Sequence, residues 1–432
     1  MAVGDRWSSR LGFILATIGS AVGLGNIWRF PYRVGVNGGG AFLLPYLVSI
    51  LLFALPILIF ELGSGHRFRG GVYGTFKAIR PWARWAGVFL ALSTLVLLSY
   101  YLVIAGWAFG YFVNAVSGNL PRFSEFTDGY NSVMYFMVLM AFTGGIVLLG
   151  VKKGIENSSR VLIPLLFLSL VGLAAYGLFL PGWRDGIRFY LTPDLGALGD
   201  PLVWSTAFGQ AFFSVGVGGG IMITYGAYVS GKENIAGSSR IVVSADVLAA
   251  FVAGLVIFPI VFSYGGEPAS GPKLAFDNLP LVFSRFPGIV GYMLAALFYL
   301  LLTIAALTSS ISLLETVLLA AVESTGIKRR YGVMVLLALL VLLGLPSALS
   351  YSGGSLSIGG KPFLDWADDL VGTWLLPLGV LITAVVLGWL APAREMMQEV
   401  KQGFWGWLVL MLVRFAVPLA IIVVLVTTVL KG

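Results

Sequence analysis

The 432-residue chain contains no cysteine and a single histidine, and only 11% of its residues are charged. Without cysteine it has no disulfide framework, no thiolate nucleophile and no thiol metal site. The one histidine, His66, stands beside Arg67 and Arg69 and reads as a solvated loop residue. No nucleophile–base pair is visible, so catalysis is not expected and no cofactor is implied. Soluble domains carry roughly 25% charged residues, so the shortage here excludes an ordinary soluble fold. What fills the space is apolar: 58% of residues are hydrophobic and the mean hydropathy is +0.95. This is the profile of a polytopic membrane protein. Met1 to Arg10 is polar and leads into a full-length apolar stretch, so no cleavable signal peptide is expected.

A membrane helix needs about 20 apolar residues. Reading on that scale gives about eleven spans, near 11–33, 41–63, 84–117, 132–150, 158–181, 201–229, 239–266, 288–325, 332–347, 364–392 and 404–430. Basic residues cluster on alternate loops: Arg6 and Arg10, then Arg67 to Arg84, Lys152 to Arg160, Lys232 and Arg240, Lys328 to Arg330, and Arg394 with Lys401. The opposite loops are sparser, with Arg122, Arg184, Arg188, Lys273, Arg285 and Lys361. The positive-inside rule then sets the N-terminus in the cytoplasm, and an odd count leaves the C-terminus outside. Topology explains the net charge of +8, so a nucleic-acid partner is not expected. The expected location is the cell membrane, with lipid around the bundle.

Two of these spans cannot stay helical. The first contains Ile18-Gly19-Ser20-Ala21-Val22-Gly23-Leu24-Gly25-Asn26, and the sixth contains Phe213-Ser214-Val215-Gly216-Val217-Gly218-Gly219-Gly220. Each glycine weakens a helix by about 1 kcal/mol relative to alanine. Backbone freed inside hydrocarbon must find partners in neighbouring protein or in something bound. Matching breaks in two halves point to an all-α fold with a 5+5 inverted repeat. The expected divisions are residues 1–182 (spans one to five), 183–395 (spans six to ten) and 396–432 (span eleven).

A broken helix offers free carbonyls on one side and free N–H groups on the other. Carbonyls suit a small cation and N–H groups suit a carboxylate. The other reading of these glycines is a packing motif that lets helices approach closely. Asp246 lies several residues into the seventh span, where a carboxylate marks either a functional site or the nearby interface. Thr308-Ser309-Ser310 place consecutive hydroxyls mid-span, free to bond the preceding turn or to ligate an alkali ion. Arg29 follows the first break, with Asp368 and Asp369 as possible partners or with an interfacial, snorkelling role. Tyr100-Tyr101 serve a site or simple packing.

Three long motifs settle a resemblance: Arg10-Leu11-Gly12-Phe13-Ile14-Leu15-Ala16, Gly23-Leu24-Gly25-Asn26-Ile27-Trp28-Arg29-Phe30-Pro31 and Asn37-Gly38-Gly39-Gly40-Ala41-Phe42-Leu43-Leu44-Pro45-Tyr46. With Gly209-Gln210-Ala211-Phe212-Phe213-Ser214, Ile223-Thr224-Tyr225 and Leu307-Thr308-Ser309-Ser310-Ile311, they make the chain closely similar to the neurotransmitter:sodium symporter family along essentially its whole length. The resemblance implies a first sodium site from the Ala21 carbonyl, Asn26, Ser214 and Asp246. It implies a second from carbonyls of Gly19, Val22 and Ala305 with the hydroxyls of Thr308 and Ser309. The substrate carboxylate would meet the N–H groups of Leu24 and Gly25 and the Tyr101 hydroxyl. Its ammonium would meet carbonyls at Ala21, Phe213, Ser214 and Gly216. Its side chain would point toward Ser20, Leu97, Phe213, Gly219, Ser310 and Leu313. Phe213 and Tyr101 would form the outer lid, with Arg29 and Asp368 a water-bridged latch above it.

Trp7, Tyr228 and Glu323 match the family's inner gate. Gly4 stands where the family usually has arginine, leaving Arg6 as the nearest cation. Gly154 and Pro164, with Glu156 between them, match an element that unwinds to hydrate the second sodium. Chloride-dependent members have asparagine at the position of Asp246 and a small hydroxyl at that of Ala250. A fixed carboxylate beside the first sodium replaces an anion, so transport is expected to be chloride-independent. Gly219 replaces a bulky side chain and enlarges the pocket. The expected function is sodium-coupled import of a neutral, hydrophobic or aromatic α-amino acid. The alternatives are a carrier of a non-α amino acid or osmolyte, or a transporter-like sensor.

Overall fold

The structure is a computed structural model that describes residues 5–266, 275–352, 356–400 and 403–431. Gly4, Lys273 and Lys401 lie outside the described residues. Helices dominate: α1 (Arg10–Ala21), α2 (Gly25–Val36), α3 (Gly39–Phe68), α4 (Pro81–Val116), α5 (Asn131–Leu148), α6 (Val151–Gly177), α7 (Pro201–Val215) and α8 (Ile221–Ala227). The second half continues with α9 (Ile235–Ser263), α10 (Val290–Thr325), α11 (Arg329–Leu349), α12 (Phe363–Leu390) and α13 (Phe404–Thr427). The only sheet among the described residues pairs Ser357–Ile358 with Lys361–Pro362 in one short antiparallel turn.

Helix ends follow local chemistry. The Ser9 side chain accepts the Gly12 N–H (2.9 Å) at the start of α1, and Asp200 accepts the Leu202 N–H (2.8 Å) ahead of Pro201 in α7. Such caps satisfy donors that have no preceding turn. Gly326, at φ 76°, ends the 36-residue α10.

Among the described residues nine helices are long and apolar enough to cross a membrane, or ten if the bent pair α1–α2 is one span. An expected count of eleven depends on α7 and α8, whose pieces of 15 and 7 residues are each too short to cross alone. The most central helix by burial is α4, with 78% of its apolar window inside the protein, against 28% for α13. α4 packs along α10 at the centre of the bundle, while α13 presents most of its side chains outward, as a lipid-facing helix does.

Two expected loops contain short helices, Phe123–Thr127 and Trp183–Leu191. The second is strapped to α9 by the Tyr190 hydroxyl, which donates to the Phe251 carbonyl (3.0 Å). His66 corrects its solvated-loop reading: it lies within α3, bonded to Glu399 (3.0 Å) and to the Gly231 carbonyl (3.0 Å).

Candidate functional site at two helix breaks

α1 and α2 are bent by 46° across Val22–Leu24. Val22 has ψ 100°, which turns its carbonyl out of the helical direction. The Asn26 side chain accepts the Gly23 N–H (3.0 Å), bridging the gap. The second break runs over 216–220, where Gly216, Gly218 and Gly220 all have positive φ. Gly218 is the most constrained of them, since a Cβ there would lie 2.8 Å from the Val380 backbone nitrogen. Its N–H is held by the buried carboxylate of Glu61 (2.7 Å).

A cavity lies between the breaks. Ser20, Ala21, Leu24, Gly25, Leu97, Tyr101, Phe213, Gly216, Gly219 and Leu313 all line it, as the resemblance implied for a substrate. So do Gly23, Ser309, Thr94, Phe212, Val217, Ile221 and Leu376, which were not singled out as substrate contacts. Two polar atoms on its wall, the Tyr101 hydroxyl and Ser20 Oγ, are buried without a hydrogen-bond partner. Buried polar atoms of that kind call for a ligand or water. Most of the rest of the wall is apolar; Ser309 adds a further hydroxyl, and Thr94 spends its own on the Gly219 carbonyl (2.9 Å). Ser310 is a correction: its hydroxyl faces Thr143 of α5 (2.9 Å) and the Leu307 carbonyl (2.9 Å), not the cavity. Consecutive helical residues point about 100° apart, so three adjacent hydroxyls cannot share one face.

Beside the cavity the structure brings Asn26, Ser214 and Asp246 together. Asn26 Nδ2 donates to Asp246 Oδ1 (2.7 Å) and Ser214 Oγ (2.9 Å), and Ser214 Oγ donates to Asp246 Oδ2 (2.9 Å). Tyr46, not foreseen from the sequence, completes the group from α3, 3.2 Å from Ser214 Oγ and 3.4 Å from Asp246 Oδ2. Asp246 is fully buried, and its side-chain partners are all neutral. On the other flank, Ser309 Oγ lies 3.4 Å from the carbonyls of both Gly19 and Ser20. Thr308 Oγ1 bonds the carbonyls of Ile304 (3.0 Å) and Ala305 (3.1 Å). The second group is built of oxygens alone, the donor type that alkali cations take, whereas in the first Asn26 turns its amide nitrogen to Ser214 and Asp246 and its oxygen to Gly23. Gln210 is a further polar residue missed in the sequence; it donates to the Gly25 carbonyl (2.9 Å). A polar side chain inside an apolar span is the signal that could have found it, as for Glu61.

Phe213 closes one end of the cavity, with the Arg29 guanidinium 4.1 Å from its ring centroid, a cation–π geometry. Asp368 lines the same recess as Arg29, but accepts its hydrogen bond from Tyr100 (3.0 Å). Asp369, the other partner considered for Arg29, pairs with Lys361 (2.9 Å).

At the far end, Trp7 is buried and donates from Nε1 to the Tyr225 carbonyl (3.0 Å) and from its backbone to the Tyr228 carbonyl (3.1 Å). The Tyr228 hydroxyl donates to Glu315. Glu323 accepts the N–H groups of Gly71 (2.7 Å) and Gly74 (2.8 Å) and meets no cationic side chain among the described residues. Arg6 is exposed. Glu156 grips the foot of α1, accepting from Ser8 N (2.7 Å), Ser8 Oγ (2.6 Å) and Ser9 Oγ (3.0 Å). Gly154 and Pro164 both lie within helical turns of α6.

A helical bundle with two broken helices around one cavity, flanked by a buried carboxylate group and a cation-type oxygen cluster, is the build of a secondary transporter and not of an enzyme. The sequence matches the model of the sodium:neurotransmitter symporter family over residues 4–134 and 126–432. An uncharacterised sodium-dependent transporter, YhdH, of Bacillus subtilis is 37% identical, with 97% of this chain and 96% of the relative covered. A sodium-dependent transporter of Methanocaldococcus jannaschii is 32% identical over 93% of this chain and 86% of its own length. A crystal structure of MhsT in complex with L-phenylalanine superposes with a TM-score of 0.90 at 38% identity, covering 98% of this chain and all of MhsT. The chain belongs to the sodium:neurotransmitter symporter family. It is a multi-pass, sodium-dependent membrane transporter, and sodium is its coupling ion.

Proposed function

We propose that the chain imports a neutral, hydrophobic or aromatic α-amino acid into the cytoplasm together with two sodium ions, by alternating access. The observation that carries this reading is the cavity at the paired breaks: unpartnered Tyr101 and Ser20 hydroxyls at one end and an apolar wall at the other. The first N–H groups of α2, at Leu24 and Gly25, have no preceding turn and suit a carboxylate. Carbonyls at Ala21, Phe213, Ser214 and Gly216 suit an ammonium group. Leu97, Gly219, Ile221 and Leu313 leave room for an uncharged side chain.

The Asn26–Ser214–Asp246 group with the Ala21 carbonyl is the first sodium site. The second is built from Gly19, Val22, Ala305, Thr308 and Ser309. Because Asp246 supplies fixed negative charge, no chloride is required. In this reading residues 1–182 and 183–395 are inverted repeats that rock about the site, and 396–432 forms the additional span. The N-terminus is cytoplasmic and the C-terminus outside. Phe213 and Tyr101 are the outer lid, with Arg29 stacked on it and Asp368 beside it. That MhsT was crystallised with L-phenylalanine supports the substrate class.

The test is uptake by proteoliposomes under an imposed sodium gradient, with unlabelled amino acids as competitors. Phenylalanine, tyrosine, tryptophan and leucine are expected to compete far better than glycine, alanine or glutamate. A ranking led by glycine or by a non-α amino acid would overturn the substrate class.

A further inference from the structure

Between Phe404 and Thr427, α13 carries a single charged residue, Arg414, about 15 Å along the helix from its start. The sites above make no use of it. Its Nε donates to the Gly388 carbonyl (2.5 Å) in the last turn of α12, and the Trp389 indole N–H donates to the Arg414 carbonyl (3.1 Å). The guanidinium carbon lies 5.6 Å from the Trp389 ring centroid, and the Phe415 ring meets Trp389 edge-on at 5.1 Å. A Cβ on Gly388 would come within 3.3 Å of Arg414 Cγ, so glycine there admits the arginine stem. Both partners occupy π-helical turns, Val386–Leu390 and Leu412–Ala416, widened turns that recur at functional sites.

A guanidinium has five N–H groups, and the Gly388 carbonyl satisfies one. The four on Nη1 and Nη2 meet no acceptor among the described residues. α13 has no acidic residue, and those of α12 (Asp365, Asp368 and Asp369) stand at its opposite end. The cation is therefore uncompensated on a helix that faces lipid, beside Trp389 and Phe415, which are 51% and 55% exposed. Such a charge is costly within hydrocarbon. A helical side chain leans toward the N-terminus of its helix, here toward Phe404, Trp405 and Trp407, exposed aromatics of the kind that mark the membrane–water boundary. The anion available at that depth is a lipid headgroup phosphate, whose paired oxygens match the planar fork.

We propose that Arg414, framed by Trp389, binds the headgroup phosphate of one anionic phospholipid and so fastens α13 to α12. The lipid belongs to the leaflet that surrounds the start of α13, the inner one in the topology above. A zwitterionic lipid fits less well, because its ammonium needs a carboxylate and none is at hand, whereas a singly negative lipid neutralises the arginine. Binding here depends on neither the transported substrate nor the sodium sites.

The test titrates the purified, delipidated full chain in detergent with phosphatidylglycerol or with phosphatidylcholine of the same acyl chains, read by native mass spectrometry and thermal unfolding. The native chain should retain one phosphatidylglycerol at least about tenfold more tightly than phosphatidylcholine, the factor that a charge-assisted hydrogen bond supplies. It should also unfold at a higher temperature with phosphatidylglycerol than with phosphatidylcholine. In Arg414→Gln the two lipids should be retained equally, and their difference in unfolding temperature should vanish. That difference is the readout, because losing the Nε bond to Gly388 lowers stability with either lipid. Arg414→Lys should keep part of the preference, and Lys152→Gln, at an exposed cation at the start of α6, should keep all of it. Should Arg414→Gln not fold, Trp389→Leu leaves the cation in place and should weaken phosphatidylglycerol retention about two- to fivefold; unchanged retention there overturns the site. So does equal retention of both lipids by the native chain, an unchanged preference in Arg414→Gln, or the same stabilisation by inorganic phosphate; the arginine then only snorkels to water. A chain that fails to carry hydrophobic amino acids but keeps the lipid preference loses its substrate assignment only.

Discussion

Asp246 is surrounded by an amide and two hydroxyls, none of which can neutralise a negative charge on it. A carboxylate so buried is costly unless a cation joins it. Asp246→Ala should therefore reduce sodium-dependent uptake by at least about tenfold at equal protein in the membrane. Thr308→Ala should do the same through the second cluster; full sodium dependence in both variants would remove the two cages from the mechanism. Tyr101→Phe deletes a hydroxyl that has no partner inside the protein, so it should leave thermal stability nearly unchanged. It should raise KM roughly tenfold or more, since a hydrogen bond to a charged group contributes about 1.5–3 kcal/mol. Asn26, Ser214 and Asp246 were legible in the sequence because polar residues stand out in apolar runs. Tyr46 was not, because a tyrosine among Phe42, Leu43 and Leu44 reads as packing until its hydroxyl is seen against Ser214.

At the scale of the element, the breaks in α1–α2 and α7–α8 were readable from glycine density alone, but their geometry was not. In the second break the glycines do different work, and Gly218 combines φ 86° with a near contact to the Val380 backbone and a bond to Glu61. Gly218→Ala should lower stability by about 1–2 kcal/mol from the left-handed conformation alone, with the clash adding to that. Thermal unfolding in detergent reads the loss, and Gly209→Ala, in open space on α7, serves as the matched control. Glu61→Ala would strand the Gly218 N–H in the protein interior and should cost about 1–3 kcal/mol by the same measurement. The helices at Phe123–Thr127 and Trp183–Leu191 escaped the sequence reading because five and nine residues give too short a window for a periodic signal. Ser310 was set at the pocket by resemblance, and its hydroxyl turns instead to Thr143 and the Leu307 carbonyl.

For the whole molecule, charge balance sets the ionic requirement. Two sodium ions and a zwitterion beside an ionised Asp246 leave the same charge balance that a bound chloride would give in place of the carboxylate, so replacing chloride by gluconate on both sides should change uptake by less than about twofold. Complete loss in gluconate would mean that the carboxylate does not stand in for the anion. The grip of Glu156 on Ser8 and Ser9 bears on how such a machine can move. With its foot tied to α6, the lower half of the first helix has no independent swing. Either α6 travels with it as one rigid strut, or the carboxylate must release both serines together before the half-helix can turn.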